Sequence, residues 1–241
     1  MLILLTGASG FLGRAILHNL LGRGHRVRAL DLNRASWDHH AADGRLEDLE
    51  GDPRVELLFG DVAEYPVVAA AVAGCDAVIT AHAYFNGSGA GGAGSEAWRA
   101  QLEHGGERGR ELRPVEPMEK VNDSLPWLVM IKGLWNILDA ARWAGTTRVV
   151  HVSSCATIWP GGPSSPGSGS RRFTSDARSQ EGDSYGVSKR LQEEMCRAFY
   201  DSHGLPIIIL RPDGIFDSRL GLWGHPRGER PPAQDADPEA L

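Results

Sequence analysis

Cysteine is scarce in this chain, with three among 241 residues, at Cys75, Cys155 and Cys196. They form neither a metal-type spacing nor an even-numbered disulfide framework, a usage that fits a reducing cytoplasm. Long apolar runs are missing too. Met1 to Leu5 is apolar but far too short for a signal h-region or a membrane span, and no basic segment precedes it. A cytoplasmic protein without a membrane segment is the expectation. There is no long run of Lys or Arg, and the formal net charge is −6, so attraction to nucleic-acid phosphates is not expected. The nine histidines show no H-E-x-x-H or other metal spacing. No metal is therefore expected, and His39-His40 and His82 read as loop polar groups. The absence of a G-x-S-x-G elbow excludes that route to a serine hydrolase. No internal repeat is present.

What the chain does have is a globular composition, 41% hydrophobic and 23% charged, and length for one sizeable α/β domain or one domain plus a fragment of a second. Strand and helix patterns alternate. Leu2 to Leu5 reads as a strand ended by Thr-Gly. Phe11 to Leu21 carries a helical stripe at Leu12, Ala15, Ile16, Leu20 and Leu21, closed by Gly22 and Gly24. Further strands are expected at Arg26 to Leu30 (ending at Asp31), Val55 to Phe59, Asp76 to Thr80, Arg148 to Ser153 and Pro206 to Leu210, and helices at Tyr65 to Val72, Trp127 to Ala144 and Ser184 to Ser202. In the second of these helices the stripe is Leu128, Ile131, Leu134, Trp135, Leu138, Ala141 and Ala144. Asn86 to Ser95 holds five glycines in ten residues and is read as part of a long loop up to Pro126, with one short helix around Glu96 to His104. Pro160 to Ser170 is a second loop. Residues 224 to 241, rich in Pro, Gly and charge, read as a disordered tail behind a domain spanning 1 to 223. The alternation predicts an α/β fold: a doubly wound parallel sheet with helices on both faces and ligands at the carboxyl ends of its strands.

The motifs fall at those ends. Gly7, Gly10 and Gly13, within Gly7-Ala8-Ser9-Gly10-Phe11-Leu12-Gly13, lie between the first strand and the first helix. The first glycine allows a tight turn, the second removes a side chain where a pyrophosphate approaches, and the third lets the helix pack closely on the sheet. The helix N-terminus offers N–H groups and a positive dipole end to the phosphates. The bland alternative is a plain glycine turn. Asp31 ends the second strand, where a carboxylate accepts hydrogen bonds from ribose hydroxyls and repels a 2′-phosphate, which favours NAD over NADP. Arg34, close by, would reverse that preference if it swung toward the ribose. Asp61-Val62 either contacts adenine or is an ordinary loop start, and Ala81 follows the fourth strand.

Far downstream, Tyr185 and Lys189 stand four apart on a predicted helix and share a face. A phenol is a poor base at neutral pH, and a neighbouring ammonium favours its anion. Lys189 can also hydrogen-bond the nicotinamide ribose, leaving Tyr185 to exchange a proton with a substrate hydroxyl or carbonyl. The competing reading is a surface pair on an amphipathic helix. Ser154, at the end of the fifth strand, can hold the substrate oxygen or merely cap the strand end. Ser153 is its neighbour of opposite orientation.

Thr6 to Gly13, Asp31, Gly60-Asp61-Val62, Gly133 to Arg142, Val149 to Ser154, Tyr185 to Lys189 and Leu210 to Pro212 together resemble the extended short-chain dehydrogenase/reductases. The resemblance is to the NAD-dependent epimerase/dehydratase group and the related 3β-hydroxysteroid dehydrogenase-like group, over about residues 2 to 220. It implies a Rossmann fold, a tightly held NAD(P) and a catalytic set Ser154, Tyr185 and Lys189. Also implied are a cofactor site including Gly7, Ser9, Gly10, Phe11, Leu12, Gly13, Asp31, Asp61, Val62, Ala81 and Lys189, and a homodimer formed through the helices at Trp127–Ala144 and Ser184–Ser202.

Three departures stand out. The family usually carries an Asn shortly before the glycine corresponding to Gly133, whereas this chain reads Met130-Ile131-Lys132. Alignment from the strand puts the catalytic hydroxyl at Ser154, while alignment from Trp159 puts Cys155 there. The strand register is adopted because an insertion is easier in the loop after the strand. Finally, about thirty residues follow Arg211-Pro212, so the C-terminal substrate domain is expected to be largely absent, its pocket supplied by residues 84 to 126 or by a partner subunit. The resemblance points to hydride transfer between nicotinamide and a hydroxyl or keto carbon of a small molecule, such as a nucleotide sugar, a steroid-like alcohol or a secondary metabolite. The alternative is a non-catalytic dinucleotide-binding or redox-sensing protein, or a truncated family member.

Overall fold

The computed structural model describes residues 1–34, 37, 49–84, 126–158, 184–212, 215–217 and 221–222. The short helix expected at Glu96 to His104, the loop at Pro160 to Ser170, the tail at 224 to 241, His39-His40 and Trp159 lie outside the described residues.

The elements are β1 (Leu2–Thr6), α1 (Phe11–Gly22), β2 (Arg26–Asp31), β3 (Val55–Phe59), α2 (Tyr65–Val72) and β4 (Ala77–Thr80). A π-helical segment (Pro126–Lys132) then leads into α3 (Gly133–Trp143), β5 (Arg148–Val152), a 3₁₀ turn (Cys155–Thr157), α4 (Ser184–His203) and β6 (Ile207–Leu210). Six strands form one sheet in the order β3-β2-β1-β4-β5-β6, every pair parallel. The strand order reverses between β1 and β4, which opens the crevice where such sheets take ligands. A short antiparallel pair, β7 (Phe216–Asp217) and β8 (Gly221–Leu222), has no precursor in the sequence patterning.

Alternation along each strand builds two cores. Leu4, Leu30, Val78 and Val149 face α2, α3 and α4, where they meet Val68, Val72, Leu134, Ile137, Leu138 and Phe199. Leu5, Val27 and Ala29 face the other way, toward Leu17 and Leu21 of α1, with Trp37 and Leu49. Side chains of successive strand residues point to opposite faces, so a sheet covered on both sides reads as a continuous apolar run.

Two helical stripes are corrected. In α1 the buried face is Gly13, Arg14, Leu17 and Leu21, while Ala15 is exposed. The side-chain-free Gly13 lets the helix lie against the Gly7 turn, and that contact centres the buried face on residue 13. The helix expected from Trp127 to Ala144 opens instead as a π-helix, whose wider turn shifts the phase of α3. Leu134, Leu138 and Ala141 of the expected stripe are buried, joined by Met130 and Ile137, while Trp127, Trp135 and Ala144 lie exposed. No helix among the described residues is long and apolar enough to cross a membrane.

Candidate active site

The opening turn is shaped by close approach. Gly7 has φ +69°, and a Cβ there would stand 2.5 Å from the His82 backbone nitrogen. A Cβ on Gly13 would stand 2.0 Å from the Gly7 carbonyl oxygen. Among the described residues, and its chain neighbours aside, a Cβ on Gly10 would meet only that same oxygen, at 3.3 Å. Among the described residues the space above Gly10 is thus open, with room for a ligand to approach the turn. Gly10 is the N-cap of α1, provides no side-chain cap, and no acidic residue stands in the first turn. An anion would complete such a helix start. Phe11 and Leu12 occupy that turn and are half-buried.

Asp31 turns toward this loop. Its Oδ2 accepts hydrogen bonds from the Ser9 backbone N–H (2.8 Å) and the Ser9 hydroxyl (2.7 Å), and its Oδ1 accepts from the Leu32 N–H (2.8 Å). A carboxylate accepts about four hydrogen bonds, so capacity for a ribose hydroxyl remains. Arg34 is engaged by Glu50 through both guanidinium nitrogens, and the hydrogen bond from Arg34 holds the Glu50 carboxyl below its usual range. At the end of β3, Asp61 Oδ1 accepts the Ala63 N–H at 2.8 Å, closing a local turn. Val62 is buried in the core against Gly133, and its carbonyl accepts the Asn136 side-chain N–H at 2.9 Å. Ala81 donates its N–H to the Thr6 carbonyl at 3.0 Å, which ties the ends of β1 and β4 together.

His82 stands in the irregular segment after β4, as expected, but not at the surface. It is buried, with Nδ1 2.7 Å from the Thr6 hydroxyl. Burial and, less strongly, the Lys189 charge push its pKa down to about 3. His151 is likewise buried, 2.7 Å from the Thr80 hydroxyl, and burial drives its pKa well below the usual imidazole value. Both imidazoles are therefore neutral at pH 7. Their folded pKa values lie below the unfolded 6.5, so the unfolded state binds more protons between about pH 6.5 and 3 and stability falls as pH falls through that window. His82 alone contributes up to about 1.4 kcal/mol per pH unit there. Urea midpoints of wild type and His82→Gln at pH 7, 5 and 4 should show a shallower acid dependence in the variant. Equal slopes would mean that His82 is already charged in the folded state.

At the other end of the site, Lys189 is 2% exposed. Its Nζ donates to the Val152 carbonyl at 2.8 Å and lies 5.8 Å from the centre of the half-buried Tyr185 ring. Burial lowers its pKa to about 8, opposed in part by Cys196 and Glu193. Ser154 is half-buried and caps the 3₁₀ turn, its Oγ accepting the Ala156 N–H at 3.1 Å. Ser153 points the other way and donates its hydroxyl hydrogen to Glu193 Oε1 at 2.6 Å. The half-buried Cys155 donates its N–H to the Pro212 carbonyl at 2.9 Å. The fold thus gathers Lys189, Tyr185 and the Ser153–Cys155 turn at the carboxyl end of β5, and sets the glycine turn, Asp31, Asp61 and Ala81 at the carboxyl ends of β1, β2, β3 and β4.

The sequence reading missed Gln192 and Glu193. Gln192 is fully buried, and its Nε2 donates to the Met130 carbonyl at 2.6 Å. The polar support missing from the Met130 side chain is therefore displaced onto α4, while Met130 Sδ accepts the Tyr84 N–H at 3.1 Å. Both residues continue the face of Tyr185 and Lys189 at positions i+3 and i+4 from the lysine, a spacing readable from the sequence.

A model of the NAD(P)H-binding family matches residues 7–228. The 3 beta-hydroxysteroid dehydrogenase type 7 of Mus musculus is 29% identical over 224 residues, covering 88% of this chain and 50% of its own. The 3 beta-hydroxysteroid dehydrogenase/Delta 5-->4-isomerase of Mycobacterium tuberculosis is 26% identical over 214 residues, covering 89% and 47%. The chain thus spans about half the length of the curated relatives it matches. Among solved structures, the UDP-glucose 4-epimerase of Thermus thermophilus in complex with NAD superposes with a TM-score of 0.59 at 22% identity, covering 88% of this chain and 54% of the other. A dTDP-glucose 4,6-dehydratase of Streptomyces venezuelae with NAD bound gives 0.61 at 22%, covering 88% and 55%. These likenesses establish the fold.

Proposed function

Because the chain belongs to the NAD(P)H-binding family, we propose that it is an NAD-dependent oxidoreductase or epimerase/dehydratase acting on a hydroxyl or keto carbon of a small molecule. One observation carries the reading: a buried lysine, anchored on the Val152 carbonyl, lies beside a half-buried tyrosine one helical turn away, at the carboxyl edge of the sheet.

The nicotinamide, when bound, supplies the carbon that takes or gives a hydride. The protein's part is proton handling and orientation. The Lys189 ammonium uses one N–H on Val152, leaving two for the nicotinamide ribose and for the electrostatic stabilisation of a Tyr185 phenolate. Tyr185 takes the proton of the substrate hydroxyl, or returns it to a carbonyl. Ser154 donates its hydroxyl hydrogen to that same substrate oxygen while its lone pair stays on the Ala156 N–H. At the far end, Gly10, Phe11, Leu12 and Gly13 receive the pyrophosphate and Asp31 the adenosine ribose, with Ser9 at the cofactor turn holding the Asp31 carboxylate in place. The alternative is a cofactor-binding protein without turnover. Calorimetry with NAD and NADP, followed by a screen of 3β-hydroxysteroids and nucleotide sugars for NADH formation, separates the two. NAD binding without turnover on either panel would favour the alternative.

Asp31 is assigned the choice of cofactor. Asp31→Ala should weaken NAD binding by about tenfold, one hydrogen-bonded contact to a charged group lost, and should raise NADP binding by removing the repulsion of a 2′-phosphate. Calorimetry on both nucleotides checks it, and an unchanged NAD/NADP ratio would remove Asp31 from that role.

The exposed faces of α3 and α4 support homodimerisation. Trp135 (53% exposed) packs edge-on against Phe199 at 5.0 Å, with Trp143, Leu191 and Tyr200 exposed on the same two helices. Such an aromatic surface is more than isolated apolar residues explain. Sedimentation velocity of wild type and Trp135→Glu tests it: a dimer turning monomeric is expected, and a monomeric wild type would refute it.

A further inference from the structure

We propose that Glu193 is a positioning residue of this site: its carboxylate ties α4 to the ends of β5 and β6 and thereby fixes the turn that carries Ser154. The inference rests on the reading of this region as a hydride-transfer site and adds to it a residue that touches neither substrate nor cofactor.

The geometry is a closed ring of contacts around residue 154. Successive turns of α4 grip successive residues of the strand end, Lys189 Nζ on the Val152 carbonyl (2.8 Å) and Glu193 Oε1 on the Ser153 hydroxyl (2.6 Å). The main chain on either side of Ser154 is stitched to β6 and beyond, Ser153 N–H to the Leu210 carbonyl (2.7 Å) and Cys155 N–H to the Pro212 carbonyl (2.9 Å). Arg211, between those two acceptors, returns to Glu193 through Nε (2.8 Å) and Nη2 (2.6 Å), one nitrogen on each carboxylate oxygen. Arg197 adds a longer contact at 3.3 Å.

A carboxylate with 3% side-chain exposure is costly to bury, and it survives here because three donors of this ring and Arg197 meet it. Burial pushes the Glu193 pKa up, and the hydrogen bonds from Arg211 and Ser153 outweigh it, so the group stays ionised. Each of those bonds fixes a direction as well as a distance. Ser153, the residue before Ser154, is thereby held from its side chain as well as its main chain.

The same carboxylate is one of the groups facing Lys189. From α4 itself these are the Tyr185 ring, Glu193 and Cys196; from the end of β4 there is His82 and from β5 His151. The two histidines are neutral at pH 7, which leaves Glu193 as the ionised carboxylate supporting the ammonium among these groups.

The test needs neither cofactor nor substrate. In Glu193→Gln, amide hydrogen exchange followed by NMR should accelerate by about tenfold or more at Ser153, Cys155 and Ala156 while Leu4 and Val78 in the central strands keep their rates. The ¹⁵N titration midpoint of the Lys189 ammonium should fall below its wild-type value, a readout that a purely structural role would leave in place. Acceleration spread evenly over β1, β4 and β5, no acceleration at the turn, or an unmoved Lys189 midpoint overturns the proposal. If the variant does not fold, Ser153→Ala removes a single contact of the ring and is expected to give the same local acceleration at Cys155 and Ala156; unchanged rates there overturn it equally. Failure of wild type to bind NAD would sink the hydride-transfer reading but would leave these exchange rates interpretable.

Discussion

Replacing Tyr185 by Phe is expected to lower turnover by about 10²- to 10⁴-fold, the span that general acid–base groups supply, while changing NAD affinity little. The substitution removes one oxygen and keeps the ring, so its packing near Lys189 (5.8 Å between Nζ and the ring centre) is preserved. What goes is the proton exchanger. The Lys189 ammonium, held on Val152, then has no phenolate to stabilise, and water must serve in its place. The measurement is a steady-state comparison on whichever hydroxyl substrate the screen identifies, with calorimetry on NAD beside it. A variant that keeps full turnover would remove Tyr185 from the chemistry and with it the enzymatic reading. The wild-type pH profile carries a related signature: with the Lys189 pKa near 8, the ammonium is the dominant form at pH 7 and is lost through pH 8 to 9, so support for the phenolate declines on the alkaline side.

Gly13→Ala is the second large effect. The added methyl would sit 2.0 Å from the Gly7 carbonyl oxygen and 2.9 Å from the Ala8 Cα. Both are backbone atoms of a turn that already holds Gly7 at φ +69°, so there is no flexible side chain to give way. Helix α1 must move off the sheet, withdrawing Leu17 and Leu21 from the second core and opening the phosphate turn. Overpacking of this kind costs about 1–3 kcal/mol or more, and NAD affinity should fall by about 100-fold with the loss of the preorganised helix start. Gly22→Ala, in the same helix, is the control. Among the described residues, its own helix and chain neighbours aside, nothing lies within 4 Å of its hypothetical Cβ, so it should stay neutral or gain up to about 1 kcal/mol. Urea midpoints and nucleotide calorimetry on the two variants decide the matter; equal behaviour would show that the close approach at Gly13 is not needed.

The parts of the fold readable from the chain are those in which local pattern and tertiary demand agree. β3 and α2 begin and end at the residues that the patterning predicts, because each is a short apolar run bounded by turn residues. Agreement fails where the tertiary structure overrides the local period. Ala15 looks inward by spacing, but the Gly7–Gly13 contact sets the rotation of α1 and leaves it exposed. Trp135 fits a helical stripe, yet the buried face of α3 is centred on Leu134, Ile137, Leu138 and Ala141, and Trp135 lies outside it on the surface. In the candidate site, Lys189 and Tyr185 could be singled out because their chemistry is rare at that spacing. For Glu193 the spacing gives the shared face but not the role, since a glutamate on a long helix is ordinarily a solvated side chain, and only the arrival of Ser153 and Arg211 from the ends of β5 and β6 makes it a buried hub.

The all-parallel pairing of the main sheet has a kinetic corollary. β1 lies at the centre, and one of its two partners, β4, joins it through Ile3 and Ala77, more than seventy residues apart in sequence. No hairpin between these six strands can form early and template the rest, so each ladder must wait for a crossover to close. β1 thus gains its second neighbour only when β4 arrives, and until then its apolar Leu-Ile-Leu-Leu stretch needs shielding from other chains. Dilute conditions and slow dilution from denaturant should accordingly favour recovery of folded protein over aggregate.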